Sequence, residues 1–254
     1  MTVSENLAGN FLAEYAALLL CSGATCARIE KNVGRMAATW GLQSGITILP
    51  HHVTLSIRAD KEHGGTFVGE TGPASISFNK ITRLSQLSWE VADHKLDLDE
   101  TERKYRCICK TSPADRWWVL FAVSCANAAF CRLFSGDMVA AAIVALSTLC
   151  GYYLKQELLA RKIDVRLVFM LCAFISSVLA CADFLFSLGQ TPQIAVGTSV
   201  LYLVPGIPFL NSFSDMLDHH YICFFGRLMD AIVLTASLSI GLCAGMWLMQ
   251  IGMF

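Results

Sequence analysis

Apolar residues are not spread evenly along this chain. They gather into five long runs in its second half, at about 117–134, 138–154, 167–188, 193–210 and 228–252. Each is near the ~20 residues with which an α-helix crosses ~30 Å of hydrocarbon, so the pattern predicts five membrane-spanning helices. The first 116 residues read differently. Leu7, Phe11, Leu12, Tyr15, Leu18 and Leu19 recur at helical spacing over 5–21, Ser22-Gly23 interrupts, and a second helical stretch over about 24–40 ends at Gly41. Ile46 and Ile48, then Val53, Leu55 and Ile57, alternate with polar residues, as do Ile76 and Phe78, with Gly64-Gly65 and Gly72-Pro73 as turns. Helical patterns over about 82–95 and 98–110 lead to Pro113. The predicted fold is an α-helical integral membrane protein: a small cytoplasmic α+β domain, 1–116, precedes a five-span transmembrane domain, 117–254.

Composition agrees with that division. The 254 residues are 55% hydrophobic and 15% charged, with a mean hydropathy of +0.53, and most of the charge precedes Arg116. The apolar patch Phe11 to Cys21 carries Glu14 and follows a lysine-free start, so a cleaved signal peptide is not expected. Of the eleven cysteines, Cys125, Cys131, Cys150, Cys172, Cys181 and Cys243 fall in or beside apolar runs, where cysteine packs as a small residue. Cys107-x-Cys109 lacks the spacing and second pair of a zinc site. His51, His52 and His63 with Asp60 flank a predicted strand without ligand spacing and read as solvated strand ends, so no metal is expected. No glycine-rich nucleotide motif and no nucleophile elbow is present, which argues against a primary pump, an enzyme or a cofactor. A net charge of −1 gives no reason to expect nucleic acid.

Loop charges set an expected orientation. Lys155, Arg161, Lys162 and Arg166 lie between the second and third runs, whereas Ser187 to Pro192, between the third and fourth, carries no charge. The positive-inside rule then puts 155–166, residues 1–116 and the 211–227 loop in the cytoplasm, and the C-terminus outside; Arg132, in the short outer turn, is the one dissent.

The fourth run ends in Leu203-Val-Pro-Gly-Ile-Pro-Phe-Leu-Asn-Ser-Phe-Ser-Asp215. Pro205 cannot bond the carbonyl of Leu201, nor Pro208 that of Val204, so both oxygens are expected to be free for water, a neighbouring helix or a ligand. Asn211 and Asp215, four apart, share a face if the helix resumes after Pro208. Two readings fit: a broken helix at a site, or a kink where the chain leaves the bilayer.

From these residues a family becomes recognisable. Ser22 to Glu30, Pro113-Ala-Asp-Arg-Trp117, Ser124 to Arg132, the Lys155-Gln156 to Arg161 loop and above all Val204-Pro-Gly-x-Pro-x-x-Asn-x-x-x-Asp215 with Gly226-Arg227 resemble the threonine/serine exporter (ThrE) family, in particular the YjjP-like larger subunit of a split exporter. Asp218-His219-His220-Tyr221 departs from the family's small residues. The resemblance implies a cytoplasmic domain, five spans and a separate small membrane subunit of four or five spans, joined as a hetero-oligomer in a bacterial inner membrane. It also implies proton-driven export of a small polar metabolite, either threonine and serine or a dicarboxylate such as succinate.

On that expectation Leu201, Val204, Pro205, Gly206, Pro208 and Asn211 contact the solute. Asp215 couples protons or lies in water, and Asp183, inside the third run, couples protons or reaches outer water. Asn127 bonds a neighbouring helix rather than substrate. Arg28 and Glu30 hold a partner, form an entrance or pair on the surface; Gly226 and Arg227 are structural or gating, and Arg227 pairs with Asp230 at i,i+3 or anchors the last helix at the interface. The rival reading is a membrane-anchored sensor or assembly subunit with a ligand-binding cytoplasmic domain.

Overall fold

The computed structural model describes residues 3–50, 52–58, 64–72, 75–112 and 114–251; His51, Asp60, His63, Pro73 and Pro113 lie outside the described residues. The chain forms two compact units, one of Met1–Ser112 with Ile207–Met229, the other of Pro113–Gly206 with Asp230–Phe254.

In the first unit, helix α1 (Val3–Cys21) buries Leu12, Tyr15, Ala16 and Leu19 completely. Its end is a left-handed turn: Gly23 has φ +90°, and Ser22 and Ala24 donate back to the carbonyls of Leu18 and Leu19. Helix α2 (Cys26–Thr39) is amphipathic, with Ile29, Val33, Met36 and Ala37 inward, and stops where Gly41 takes φ +71°. Three strands follow as an antiparallel meander: β1 (Gln43–Leu49), β2 (His52–Arg58) and β3 (Gly64–Glu70), with Ile46 opposite Leu55 and Leu55 opposite Phe67. Val53, Leu55 and Ile57 of the middle strand are fully buried, as their alternation requires. Helix α1 crosses this sheet closely, because Gly69 has no Cβ to meet the Ala13 carbonyl.

Two expectations are corrected here. Gly64-Gly65 is not a turn but the start of β3, and Ile76 and Phe78 do not form a strand. Ser75 and Ser77 instead donate to the carbonyls of Cys21 and Ser22, so this extended segment satisfies the end of α1, and Ser77 then caps helix α3 (Phe78–His94). Helix α4 (Leu98–Cys109), capped by Asp97, completes the N-terminal part.

The second unit is helical. Asp115, Asp137 and Asp164 cap α5 (Arg116–Leu133), α6 (Met138–Ala160) and α7 (Val165–Ala180), and α7 runs on into α8 (Ala182–Phe186). Helix α9 (Pro192–Ser199) leads to a 3-10 turn, Leu201–Leu203. The chain then makes α10 (Gly206–Leu217) and the long α11 (Tyr221–Leu248). Among the described residues, three helical stretches are long and apolar enough to cross a membrane: Met138–Ala160, Val165–Phe186 and Tyr221–Leu248. A fourth results if Pro192–Leu203 and Gly206–Leu217, a bent pair, count as one passage.

This unit mixes small polar residues with apolar ones inside and is apolar outside. Asn127, Ser147, Thr148, Ser176, Ser177, Thr198 and Ser199 are buried, while Trp118, Leu133, Met138 and Trp247 are exposed by 68%, 75%, 72% and 81%. A protein surrounded by water hides its large apolar side chains; lipid removes the reason to hide leucine and tryptophan and leaves small residues and hydrogen bonds to hold helices together. Gly241 and Gly245, one turn apart on α11, let that helix touch the backbone of α7 at Met170 and Phe174.

Candidate functional site

The chemistry gathers in the first unit, where the start of α2 meets α10 and the start of α11. Helix α10 begins two residues earlier than the prolines suggest. Pro205 immediately precedes it and Pro208 lies in its first turn, where a missing N–H costs no intrahelical bond. The two prolines therefore start a helix rather than kink one. The segment expected as a loop, 211–227, is mostly helix, with only 218–220 between α10 and α11.

The carbonyls of Leu201 and Val204 are not left free as expected. Leu201 O accepts from Val204 N at 3.1 Å and Val204 O from Gly206 N at 2.8 Å, both in tight local turns. Each keeps one lone pair.

Asn211 and Asp215 do share a face of α10, one turn apart, and both reach the link between α1 and α2. Asn211 Nδ2 donates to Gly23 O at 2.8 Å, and the Cys26 backbone N–H donates to Asp215 Oδ1 at 2.8 Å. Asp215 thus supplies the negative charge that the start of α2 lacks, since that helix has no acidic residue in its first turn and Thr25 makes no side-chain cap. Arg227, from α11, completes the cluster. One terminal nitrogen donates to Ala24 O at 2.8 Å, and the other lies 2.8 Å from Asp215 Oδ2. The Asp215 side chain is wholly inaccessible and that of Arg227 is 16% exposed. Oδ2 and this nitrogen touch as an ion pair, but the N–H is not aimed along the line between them, and neither atom has another partner among the described residues. This buried carboxylate and guanidinium therefore hold unspent hydrogen-bonding capacity.

Two buried cysteines border the pair. Cys223 donates to Ile48 O at 3.2 Å, and the Cys26 thiol is pushed far above its ordinary range by the Cys223 thiol, by burial and by the nearby Asp215 charge. Gly226 packs against Pro50, whose Cγ an added Cβ would meet at 2.7 Å.

The other expected residues lie apart from this cluster. Asp183 does not reach water: it is wholly buried at the start of α8, and its Oδ1 accepts from Gly189 N at 2.7 Å. With Asp137, which accepts from Gln190 N at 2.6 Å, it pins the 187–191 turn. Asn127 bonds its neighbours, donating to Thr148 Oγ1 at 2.6 Å and Thr198 O at 3.1 Å. Glu30 lies 3.5 Å from His220, not beside Arg28. No cluster of three or more His, Cys, Asp or Glu suited to a metal occurs among the described residues.

The family described as "Putative threonine/serine exporter" (ThrE) matches residues 10–249. The chain belongs to this family. Its relatives include the "Probable succinate transporter subunit YjjP" of Klebsiella aerogenes, 26% identical over 91% of this chain and 90% of that protein. The protein of the same name from Escherichia coli K12 is 25% identical over 88% of this chain and 87% of its own length. No solved structure matches. Family and apolar helices together make this a multi-pass membrane protein of a transport system, and the cluster at Asp215 lies on the segment that carried the family resemblance.

The sequence reading missed two features. Cys26 and Cys223 are 197 positions apart, and no local pattern announces that they meet. The Gly241-x-x-x-Gly245 spacing inside an apolar run was a legible sign of close helix packing.

Proposed function

We propose that the chain is the larger subunit of a secondary-active exporter of small polar metabolites in a bacterial inner membrane, working with a small membrane subunit as a hetero-oligomer. The printed names of the relatives, succinate transporter subunits, favour a dicarboxylate over threonine or serine. The observation that carries the reading is the buried Asp215–Arg227 pair. An ion pair without water is costly, and one whose hydrogen bonding is incomplete suits a group that exchanges a proton or a partner during a cycle. It stands on the helix that follows the interruption at Pro205-Gly206, and broken helices serve as solute sites in other transporters.

In this reading Leu201, Val204, Pro205, Gly206, Pro208 and Asn211 border the solute, Asp215 couples protons, and Gly226 and Arg227 gate α11. Asp183, wholly buried and with its Oδ2 unpartnered among the described residues, is the second proton-coupling candidate, although its Oδ1 also holds the turn at Gly189. In the same reading α5, whose Trp117, Trp118, Phe121 and Phe130 are exposed, is the first of five passages, and the fourth runs over 193–210. The basic 155–166 loop supports a cytoplasmic N-terminus and, with five passages, a C-terminus outside.

Cells expressing the chain with its companion subunit are expected to export labelled succinate faster than cells expressing either alone, with efflux following the proton gradient. Asp215→Asn is expected to remove the gradient dependence. Efflux unchanged by the chain, or gradient-dependent without Asp215, refutes the assignment. Reporter fusions after Phe254 and within 187–192 test orientation, and cytoplasmic signal from both refutes it.

A further inference from the structure

A second feature of the first unit has no place in that scheme. A cavity of about 440 Å³ opens beside α2, between α3 and the turn that joins α10 to α11, and Arg28, Lys31 and Arg35 line it. These residues are three, four and seven apart, so they form one stripe of a single helix face. Local electrostatics does not favour that stripe. Like charges a turn apart repel, and Arg28 lies in the first turn, where the helix dipole favours anions. Among the described residues none of the three has a carboxylate within ion-pair distance. Asp218 also borders the cavity, so three cations stand against one carboxylate.

The lining is built rather than incidental. The Arg35 guanidinium carbon lies over the Trp89 ring, 3.6 Å from its centre, and one terminal nitrogen donates to Asn32 Oδ1 at 3.2 Å and Ser88 Oγ at 2.6 Å. That leaves its other terminal nitrogen and Nε as donors. The Thr25 hydroxyl, not used as a cap, borders the same space. Cations one helical turn apart, about 5.4 Å, suit two carboxylates on a short aliphatic stem, and Trp89, 54% exposed, offers that stem an apolar wall. Arg28 and Lys31 break the local charge rule without an ion-pair partner among the described residues, as residues at functional sites do.

We propose that this cavity is a binding site for a small dicarboxylate, held by Arg28, Lys31 and Arg35 against Trp89. It rests on the exporter reading only for the choice of dicarboxylate over other anions. It is a second site, distinct from the Asp215–Arg227 cluster.

The test is equilibrium dialysis of labelled succinate against the purified full chain in detergent, without its companion, so that binding is read independently of transport. The expected result is saturable binding weakened at least tenfold in Arg28→Gln/Lys31→Gln. Thermal unfolding midpoints confirm that the variant is folded. Arg83→Gln/Arg103→Gln, which removes equal charge elsewhere on the same unit, is expected to leave binding intact. Unchanged affinity in Arg28→Gln/Lys31→Gln overturns the proposal. So does an equal loss in the control variant, which would reduce the effect to general charge, and so does equal competition by sulfate at matched ionic strength, which would remove the dicarboxylate selectivity. Binding without efflux would refute the exporter reading and leave this site standing; efflux without binding would do the opposite.

Discussion

Breaking the Asp215–Arg227 pair tests whether it holds the first unit together. The two side chains are not equivalent. Asp215 has no exposed surface and, without Arg227, would keep only the Cys26 N–H; Arg227 is 16% exposed and, without Asp215, would still hold Ala24 O. Stranding a buried charge costs about 3–5 kcal/mol, so Arg227→Met belongs at the upper end and Asp215→Asn at or below the lower end. Asparagine still accepts from Cys26, so the double variant loses both charges without orphaning that N–H. It is therefore expected to be more stable than Arg227→Met alone, a rescue that two independent contacts would not produce.

Cys26 supplies the readout. It is fully buried, so maleimide labelling, in a background where it is the sole cysteine, reports local opening. A loss of about 3–5 kcal/mol corresponds to labelling faster by about a hundredfold to a few thousandfold. Labelling of Arg227→Met within threefold of the parent, or a double variant as open as the sum of the two single changes, would refute this account of the pair.

Three further outcomes follow from the same structure. Gly241→Ala sets a Cβ against the Met170 carbonyl and is expected to lower stability by about 1–3 kcal/mol, read as a fall in the thermal midpoint, while Gly245→Ala costs less because the Ser177 hydroxyl can rotate away. Asn127→Leu leaves Thr148 and the Thr198 carbonyl without their donor and is expected to cost about 1–3 kcal/mol by the same measurement. Asp137 is held below its ordinary 3.8 chiefly by the backbone N–H of Gln190, then by that of Ala140. A depressed carboxyl stabilises the folded form above its ordinary value and ceases to do so as pH falls through the folded one. Exchange protection of the Gln190 amide, corrected for intrinsic rate, is thus expected to hold from pH 8 to 5 and to collapse only below about pH 4; a loss centred near neutral pH would exclude Asp137 as the cause.

Much of the first unit was legible because its elements announce themselves locally. The helical repeat of Leu12, Tyr15 and Leu19 and the alternation of Val53, Leu55 and Ile57 each bury the residues they pick out. Where the reading failed, a distant partner decided. Ile76 and Phe78 alternate like a strand, but their backbone is claimed by the end of α1. Asp183 looked able to reach water from its position in an apolar run, yet a turn folds over it and donates Gly189 N–H. The pairing of Asp215 with Arg227 was missed because Asp230, three residues on, was the nearer carboxylate in sequence.

Pro205-Gly-x-Pro208 shows how one pattern supports opposite local structures with related consequences. Read as a kink, it frees carbonyls; in the structure it starts a helix, and Leu201 O and Val204 O bond to the next turn. The uncommitted polar groups are therefore displaced along the chain, from the backbone at the break to the side chains of α10. Asn211 spends its amide on Gly23 O, so it can serve a passing solute only by letting go of the α1–α2 link, at about the 0.5–1.5 kcal/mol of one hydrogen bond. Asp215 is bound to the same link through Cys26. A motion of α10 against α2 would have to loosen both contacts together, whereas α10 and α2 moving as one body would keep them.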